Sequence, residues 1–359
     1  MKIPTVSVIM ATYNHQDYVA TAIESVLIQQ DVDFEFLITD DGSTDSTPNI
    51  VSKFTDKRIS YFPSTLNRGA CTATNELIAR ARGEYIAIIN SDDCWSRTDK
   101  LVLQRQFLEC NPDVGATFSK VNYIDKYNNI IPKSELSGGD VFDKKNRSRG
   151  EWLRYFFDHG NALCHPSVLI RKKLYNVLGA YNNRLRQLPD FFMWLQLVKH
   201  MEIYIEPIEF VNFRIIPGEN VSSPHGRNLV RDMNEHLLIA NSFFDGVSSS
   251  LLHSGFSDLM INKAPTSETQ LEIEKVLILF NSTTSRKNNY KMIGFIKLFN
   301  MLNDPLMAKL LNNDYSIDDK WFQERAGNIF SQQGLKSDSN WKKFRRRLKN
   351  RILSIFRYH

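Results

Sequence analysis

Apolar positions along the chain fall into short β-branched runs separated by longer stretches with helical spacing. Residues 5–11, "TVSVIMA", and 34–39, "FEFLIT", read as buried strands, and between them Val19, Ile23, Val26 and Leu27 share one helical face. A strand, helix, strand succession predicts a βαβ unit and a parallel sheet. The pattern repeats: "STDSTPNIVSKF" offers capping groups ahead of a helix, "RISYFP" reads as a strand, "ACTATNELIARARG" as a helix closed by Gly83, and "EYIAIIN" as a buried strand. Next come a helix over about 97–110 stopped by "NP", a strand "VGATFS", and a polar loop through about 134–150. A second half carries helix "EWLRYFF", strand "PSVLI", helices "KKLYNVLG" and "DFFMWLQLVKH", and strands "EIYIEP" and "EFVNFRI". From residue 228 the β signals fade and helical segments run to about 330. The expected division is therefore an α/β domain over 1–227, a helical region over 228–335 and a tail over 336–359, with no internal repeat.

Composition narrows the class. With 42% hydrophobic and 11% aromatic residues in 359, the chain can bury a large core, which excludes a disordered protein. Cys71, Cys94, Cys110 and Cys164 are irregularly spaced without a CxxC pair, which fits reduced thiols better than a disulfide frame or a zinc site. No run approaches the roughly 18 apolar residues of a membrane-spanning helix. "MKIPTVSVIMAT" superficially resembles a signal peptide, but its apolar part is short, contains Pro4 and lacks a small-residue cleavage site, so it reads as the first strand.

Three polar clusters stand at predicted strand ends: "TYN" (12–14), "TDDGSTD" (39–45) and "NSDDCW" (90–95). Open α/β sheets bind ligands beyond the carboxyl ends of their strands, so these clusters should converge on one crevice. Asp40 to Asp45 can be a capped turn, with Gly42 taking positive φ, or part of a ligand site. Adjacent Asp92 and Asp93 can be a solvated turn, but Ile86, Ile88 and Ile89 bury the strand right up to the pair. Two like charges there would raise a carboxyl pKa unless a cation intervened, and hard oxygen ligands suit Mg²⁺ or Mn²⁺ completed by substrate phosphates.

In order and spacing, "VSVIMATYNHQDYVATAIESVLIQQ", "FLITDDGSTDST", "NRGACTATN", "ARGEYIAIINSDDCW" and "LPDFFMWLQL" resemble the pattern of family 2 glycosyltransferases over about residues 4–215. The resemblance implies a GT-A fold, an α/β architecture with a Rossmann-like, mostly parallel sheet, here followed by a helical C-terminal region. It also implies transfer of a sugar from a nucleotide diphosphate donor to an acceptor hydroxyl with inversion, the donor being a UDP-sugar and the acceptor a glycan or lipid-linked sugar of surface polysaccharide synthesis. Carried over, Thr12, Tyr13 and Asn14 match the first nucleotide-contacting loop, and Asp41 or its neighbour Asp40 the carboxylate receiving the base. Asn67 and Gly69 match the "NxG" element. Asp92 and Asp93 match the DXD-type motif, the former facing ribose or metal and the latter binding Mn²⁺ or Mg²⁺. Asp190 resembles the general base, which would take the acceptor proton opposite the leaving group. A plain helix N-cap is the alternative for Asp190, and the two roles are compatible.

Several positions depart from the family's usual residues: Asn90 and Pro189 where acidic residues are common, Thr74 where an Arg is common, and Ile216 where a His often follows. Arg68 could replace the missing charge, and His225 the missing ligand. His165, in "GNALCHPSVLIRK", is either an acceptor or diphosphate contact or a structural histidine before Pro166. Trp95 is expected to stack on a sugar face and Trp194 to pack the core. Sugar-nucleotide pyrophosphorylases share a related sheet, but "MATYNHQDY" lacks their Gly-rich basic signature. A non-catalytic nucleotide-sugar-binding module would have lost the metal carboxylate or the base, and both are here.

Charge is uneven. Residues 341–359 hold eight Lys or Arg and no Asp or Glu, so the overall +5 leaves the remaining 340 residues at −3. Trp341, Phe344, Leu348, Ile352 and Ile355 form an apolar stripe within the basic segment, the make-up of a helix lying on an anionic membrane surface. Nucleic acid is the competing partner, but no aromatic stacking platform accompanies the tail, so none is expected. The expected location is cytoplasmic, peripheral at the inner face of the cell membrane. Oligomeric state is not legible.

Overall fold

In the computed structural model, residues 3–216, 218 and 226–327 are described. The basic tail and His225 lie outside them. One compact unit comprises residues up to 258 together with 284–286, and the described part of a second comprises 259–283 and 287–327.

The first unit is built on β1 (Val6–Thr12), β2 (Phe34–Asp40), β3 (Ile59–Pro63), β4 (Tyr85–Ile88), β5 (Cys94–Trp95), β6 (Val114–Ile124), β7 (Ile130–Ile131), β8 (Leu169–Arg171) and β9 (Glu202–Arg214). These form one sheet in the order β3-β2-β1-β4-β8-β6-β9-β5, with β7 beside β6. The first four strands are mutually parallel, as alternating helices require. Beyond them β8 runs antiparallel to both β4 and β6, while β6 and β9 pair in parallel. Helices α1 (Val19–Leu27), α2 (Thr47–Val51), α3 (Ala70–Arg80), α4 (Lys100–Cys110), α5 (Arg149–His159), α6 (Tyr175–Leu178), α7 (Pro189–His200), α8 (Gly226–Asn241) and α9 (Ser249–Phe256) complete the unit. Val8, Met10, Ile23, Val26, Phe36 and Ile38 are fully buried between sheet and helix, as the periodicity predicts.

Three local expectations change. Helix α3 ends at Arg80, not at Gly83. Gly83 has a different duty: a Cβ there would lie 2.5 Å from the Ser7 nitrogen, so the chain crosses β1 in backbone contact that only glycine permits. "EIYIEP" and "EFVNFRI" are one strand, because the register with β6 jumps from Glu206 to Glu209 and bulges out Pro207, which has no N–H for the ladder. "PSVLI" opens as a 3₁₀ turn, and only Leu169–Arg171 pairs.

The second unit packs α10 (Glu268–Phe280), α11 (Lys287–Leu302), α12 (Pro305–Tyr315) and α13 (Asp319–Ala326) around Ile273, Leu277, Leu298 and Leu311. Ser267, Asp304 and Asp318 cap three of these helices through their side-chain oxygens. No described helix is long and apolar enough to cross a membrane.

Candidate active site

Register sets the first half of the site. Thr12 pairs with Asp40 and Ile9 with Ile88, so β1, β2 and β4 deliver their following loops to one edge of the sheet. Those loops are stitched together. The Asn14 N–H donates to Ser43 Oγ at 2.8 Å, and Asn14 Oδ1 accepts from the Thr44 N–H at 2.8 Å. Asn14 adopts φ 53°, a left-handed conformation that Asn tolerates. His15 Nδ1 lies 2.7 Å from Ser91 Oγ, which ties the first loop to the acidic pair.

Asp40 and Asp41 are both buried but differently engaged. Asp41 accepts the N–H groups of Arg68 at 2.9 Å and Gly69 at 2.7 Å, one on each oxygen, and thereby holds the "NRG" loop. Asp40 accepts the Ser43 N–H through Oδ1 at 2.7 Å, while its Oδ2 and Thr12 Oγ1 are buried without hydrogen-bond partners. Two unsatisfied buried oxygens at adjoining strand ends mark a place where a donor is wanted. Gly42 closes the turn at φ 79°, and a Cβ on it would sit 2.7 Å from the Leu66 carbonyl carbon. Gly69 takes φ 92° at the start of α3. Tyr13 and Asn67 are exposed at the rim.

The acidic pair is closed from the far side of the sheet. β5 pairs with β9, and the Arg214 N–H at the end of β9 donates to Asp93 Oδ1 at 2.8 Å. Asp93 Oδ2 accepts from Asn90 Nδ2 at 3.0 Å, and the residue is only 2% exposed. Its pKa is pushed well above the carboxylate range by burial and then by the Asp92 charge, against the bonds from Arg214 and Asn90. The Arg214 guanidinium is buried too, donating to the carbonyl oxygens of Asp92 and Asp125 and to Asn128 Oδ1, with the Tyr18 ring 4.9 Å away. Asp92 is half-buried. Among the described residues no group of three His, Cys, Asp or Glu could hold a metal ion. A divalent cation would therefore rest on Asp92 and Asp93 and take its other ligands from water and phosphate oxygens. This donor set fits a hard cation, because each carboxylate oxygen keeps a second lone pair and a positive charge would relieve the cost of burying Asp93 beside Asp92.

A third carboxylate stands at the start of α7. Pro189 sets the first helical position, Leu188 is the N-cap, and Asp190 occupies the first turn, so Asp190 is not the cap residue. Phe191, Trp194, Leu195 and Val198 bury one face of the helix, and Trp194 meets Phe118 edge to face at 4.7 Å. Asp190 Oδ2 accepts from Asn161 Nδ2 at 2.8 Å, and Oδ1 from the Phe191 N–H at 2.7 Å. Burial nevertheless pushes its pKa up to about 6, with the Glu235 charge adding to the rise.

From the acidic pair a chain of polar contacts runs through Asn90 to Tyr181. Asn90 Oδ1 lies 3.3 Å from His165 Nδ1, and His165 Nε2 lies 3.1 Å from the Tyr181 hydroxyl. Burial takes the His165 pKa down to about 4, so the imidazole is neutral at pH 7 and bridges the two residues. Cys164 is buried next to it, and its thiol pKa is raised by burial, then by Asp93 and also by Asp190.

Trp95 differs from expectation. It is 3% exposed, its Nε1 donates to the Pro166 carbonyl at 3.2 Å, and Lys100 Nζ sits 4.3 Å from its ring, so no face is open for a sugar. The reason is that Trp95 belongs to β5 and turns inward with the sheet. Trp194 is in the core as expected, and Ile216 is buried. Arg68 is paired with Glu76. Sequence reasoning missed Asn161, Tyr181, Arg214 and Glu235. Asn161 and Arg214 stood inside quoted segments, but Glu235 carried no local signal.

Comparison with known proteins supports the same reading. Residues 7–174 match the family described as glycosyl transferase family 2. The chain is 30% identical over 230 residues to the Escherichia coli UDP-Glc:alpha-D-GlcNAc-diphosphoundecaprenol beta-1,3-glucosyltransferase WfaP, covering 64% of this chain and 84% of that protein. It is 31% identical over 199 residues to an uncharacterized glycosyltransferase of Methanocaldococcus jannaschii, covering 54% of this chain and 65% of that one. A Rickettsia felis uncharacterized glycosyltransferase is 41% identical over 297 residues, 82% of this chain, of which the chain spans 45%. Among solved structures, Staphylococcus aureus TarS 1-349 in complex with UDP-GlcNAc superposes with a TM-score of 0.55 at 18% identity, covering 90% of this chain and 92% of that one. The fold is GT-A, with a helical C-terminal region. With the strand-end acidic loops in register and a relative matched over most of its length, the chain belongs to glycosyl transferase family 2.

Proposed function

We propose that the protein is an inverting, metal-dependent transferase that moves a sugar from a UDP-sugar to a hydroxyl of a glycan or lipid-linked acceptor in surface polysaccharide synthesis. The observation that carries this reading is Asp190, a carboxylate buried in the first turn of α7 and held by Asn161 Nδ2 and the Phe191 N–H, in the same compact unit as the strand-end acids, with burial pushing its pKa up to about 6. A base poised just below neutral pH is ionised at pH 7 yet basic enough to accept a proton as a bond forms.

In the proposed reaction the acceptor oxygen attacks the anomeric carbon while Asp190 takes its proton. The bond from that carbon to the diphosphate breaks, and UDP departs with the electron pair. Thr12, Tyr13, Asn14, Asp40 and Asp41 line the nucleotide pocket, with Asn67 and Gly69 at its rim. Asp92 and Asp93 would hold Mn²⁺ or Mg²⁺, which when bound offsets charge building on the diphosphate. Asn90, His165 and Tyr181 keep the wall between the two halves rigid. UDP as the nucleotide is favoured by the donor named for WfaP and by the ligand of TarS. A lipid-linked acceptor is favoured by the diphosphoundecaprenol in the WfaP name. We further propose that residues 336–359 hold the enzyme on an anionic membrane.

The test is a panel of nucleotide sugars scored for hydrolysis and transfer with and without Mn²⁺. Metal-dependent turnover of a UDP-sugar is expected, and full activity in a chelator would sink the metal assignment. Deleting 336–359 should abolish sedimentation with anionic liposomes, and unchanged sedimentation would remove the membrane role.

A further inference from the structure

The loop that leads into α7 holds one turn, closed by the Leu185 N–H on the Asn182 carbonyl at 3.0 Å, and no helix or strand between that turn and Leu188, yet it has to aim Asp190. Its backbone is gathered by one side chain from a remote element. Glu235, on α8, is 4% exposed and accepts three backbone N–H groups: Arg186 at 2.9 Å on Oε1, and Gln187 at 2.8 Å and Leu188 at 2.9 Å on Oε2. Leu188 is the N-cap of α7, two residues before Asp190. The next residue on α8, His236, lies edge to face with Phe191 at 5.6 Å, so α8 grips the start of α7 on both sides of the carboxylate. His236 Nε2 is in turn 3.2 Å from Arg286 Nε, and the Arg286 guanidinium lies over Gly160, adjacent to the Asn161 that donates to Asp190.

We infer that Glu235 is a positioning residue for Asp190: it fixes the loop of residues 186–188 through three backbone hydrogen bonds and places its carboxylate behind the base. This rests on Asp190 being the base. A carboxylate suits the place because it offers only acceptors, so all three donors can be satisfied at once. A carboxamide would turn an NH₂ towards at least one backbone N–H.

The charges around the two groups make the electrical part separable from the mechanical part. The titratable groups that interact electrostatically with Asp190 are Glu235 from α8, the Cys71 thiol from α3, Tyr181 from its own loop and the Cys164 thiol. The thiols and the phenol have raised pKa values and are neutral near pH 6, and the Glu235 charge is the one that adds to the rise in the Asp190 pKa. Glu235 itself faces Asp232 on its own helix and Cys71, and the Arg286 guanidinium acts on the same neighbourhood through Asp232 and His236. An anion behind Asp190 raises its pKa, so removing that charge lowers it.

The experiment uses the full chain and compares wild type, Glu235→Gln and Glu235→Asp by pH–rate profile, with Asp190→Asn as a control. UDP titration with Mn²⁺ counts folded sites in each. Glu235→Gln is expected to lower kcat per folded site by about tenfold or more, to leave UDP affinity unchanged, and to move the acid limb of the profile to lower pH. Glu235→Asp, which keeps the charge and shortens the reach, should lose several-fold in kcat with the limb in place. A Glu235→Gln enzyme with the wild-type limb and kcat overturns the inference, as does a loss of folded sites alone with those two quantities unchanged. If Glu235→Gln does not fold, amide exchange of Arg186, Gln187 and Leu188 in the wild type decides: protection is expected, and free exchange overturns the proposal. An active Asp190→Asn enzyme would instead sink the base assignment, so the two failures are distinguishable.

Discussion

The donor side and the base side of this site are built from the same residue type by opposite means. Asp40 and Asp41 are held by the loops following β1, β2 and β4, whose registers bring them together, through the backbone N–H groups of Ser43, Arg68 and Gly69, while Asp93 takes its backbone donor from Arg214 at the end of β9. Asp190 is held at long range, by Asn161 from the segment after α5 and by a loop that Glu235 organises from α8. On the donor side Asp41 has each oxygen paired with a backbone N–H. On the base side burial dominates and the pKa rises to about 6. Asp190 also has a donor on each oxygen, so what raises its pKa is burial and the Glu235 charge, not a lack of donors.

The largest effect that tests this contrast should come from Asp190→Asn. An amide is nearly the same shape but cannot take the acceptor proton, so transfer should fall by about 10²–10⁴-fold. UDP affinity, measured by calorimetry, should be unchanged, because the donor side does not depend on α7. In the wild type, kcat/KM should fall as pH drops through about 6, since protonated Asp190 is no longer a base. A profile flat to pH 5 would break the contrast. Next in size is Asp93→Ala, which removes the acceptor for the Arg214 N–H and Asn90 and a proposed metal carboxylate together. Mn²⁺-dependent UDP binding should be lost, and stability should drop by about 1–3 kcal/mol through the unpaired buried donors. Retained Mn²⁺-dependent binding would remove Asp93 from the metal site.

This asymmetry also decides what was legible in the chain. Strand-end acids were readable because a parallel sheet sends every such loop to one edge, so order along the sequence is nearly enough to predict neighbours. Asp190 was readable only through the family resemblance, because "LPDFF" by itself is a helix start. Glu235 was not readable at all: on its helix it is one acid among Asn, Arg and Asp, and what distinguishes it is a fold-level contact with residues 186–188. Trp95 misled for a related reason. Its position after the acidic pair suggested a sugar platform, but pairing of β5 with β9 across the sheet turns it into the core. Gly83 misled locally, since a glycine after a helical run serves equally well as a cap or as a crossing point.

A smaller effect should follow from Asn161→Ala. The bond from Asn161 favours the charged form of Asp190 and opposes the rise caused by burial. Losing it should move the acid limb upward by roughly one pH unit, since a hydrogen bond to a charged group contributes about 1.5–3 kcal/mol gross of relaxation. This costs about twofold in rate at pH 7 and about fivefold at pH 6. The shift is opposite in sign to that expected for Glu235→Gln, so the pair brackets the base from both directions. Equal profiles for wild type and Asn161→Ala would mean that Asn161 only packs.

The mildest test acts on the donor side alone. Gly42→Ala places a methyl group 2.7 Å from the Leu66 carbonyl carbon on a residue held at φ 79°, so both contact and conformation oppose it. The backbone of 66–67 must shift, and with it the Arg68 and Gly69 N–H groups that Asp41 binds. A cost of about 1–3 kcal/mol in stability is expected, visible as a lower Tm. UDP-sugar KM should rise several-fold, while kcat at saturating donor and the acid limb stay where they are, because no contact of Asp190 passes through this turn. A change in the limb would show that the two halves are coupled more tightly than their hydrogen bonds imply. A KM equal to wild type would mean that the turn shapes the fold without shaping the nucleotide pocket.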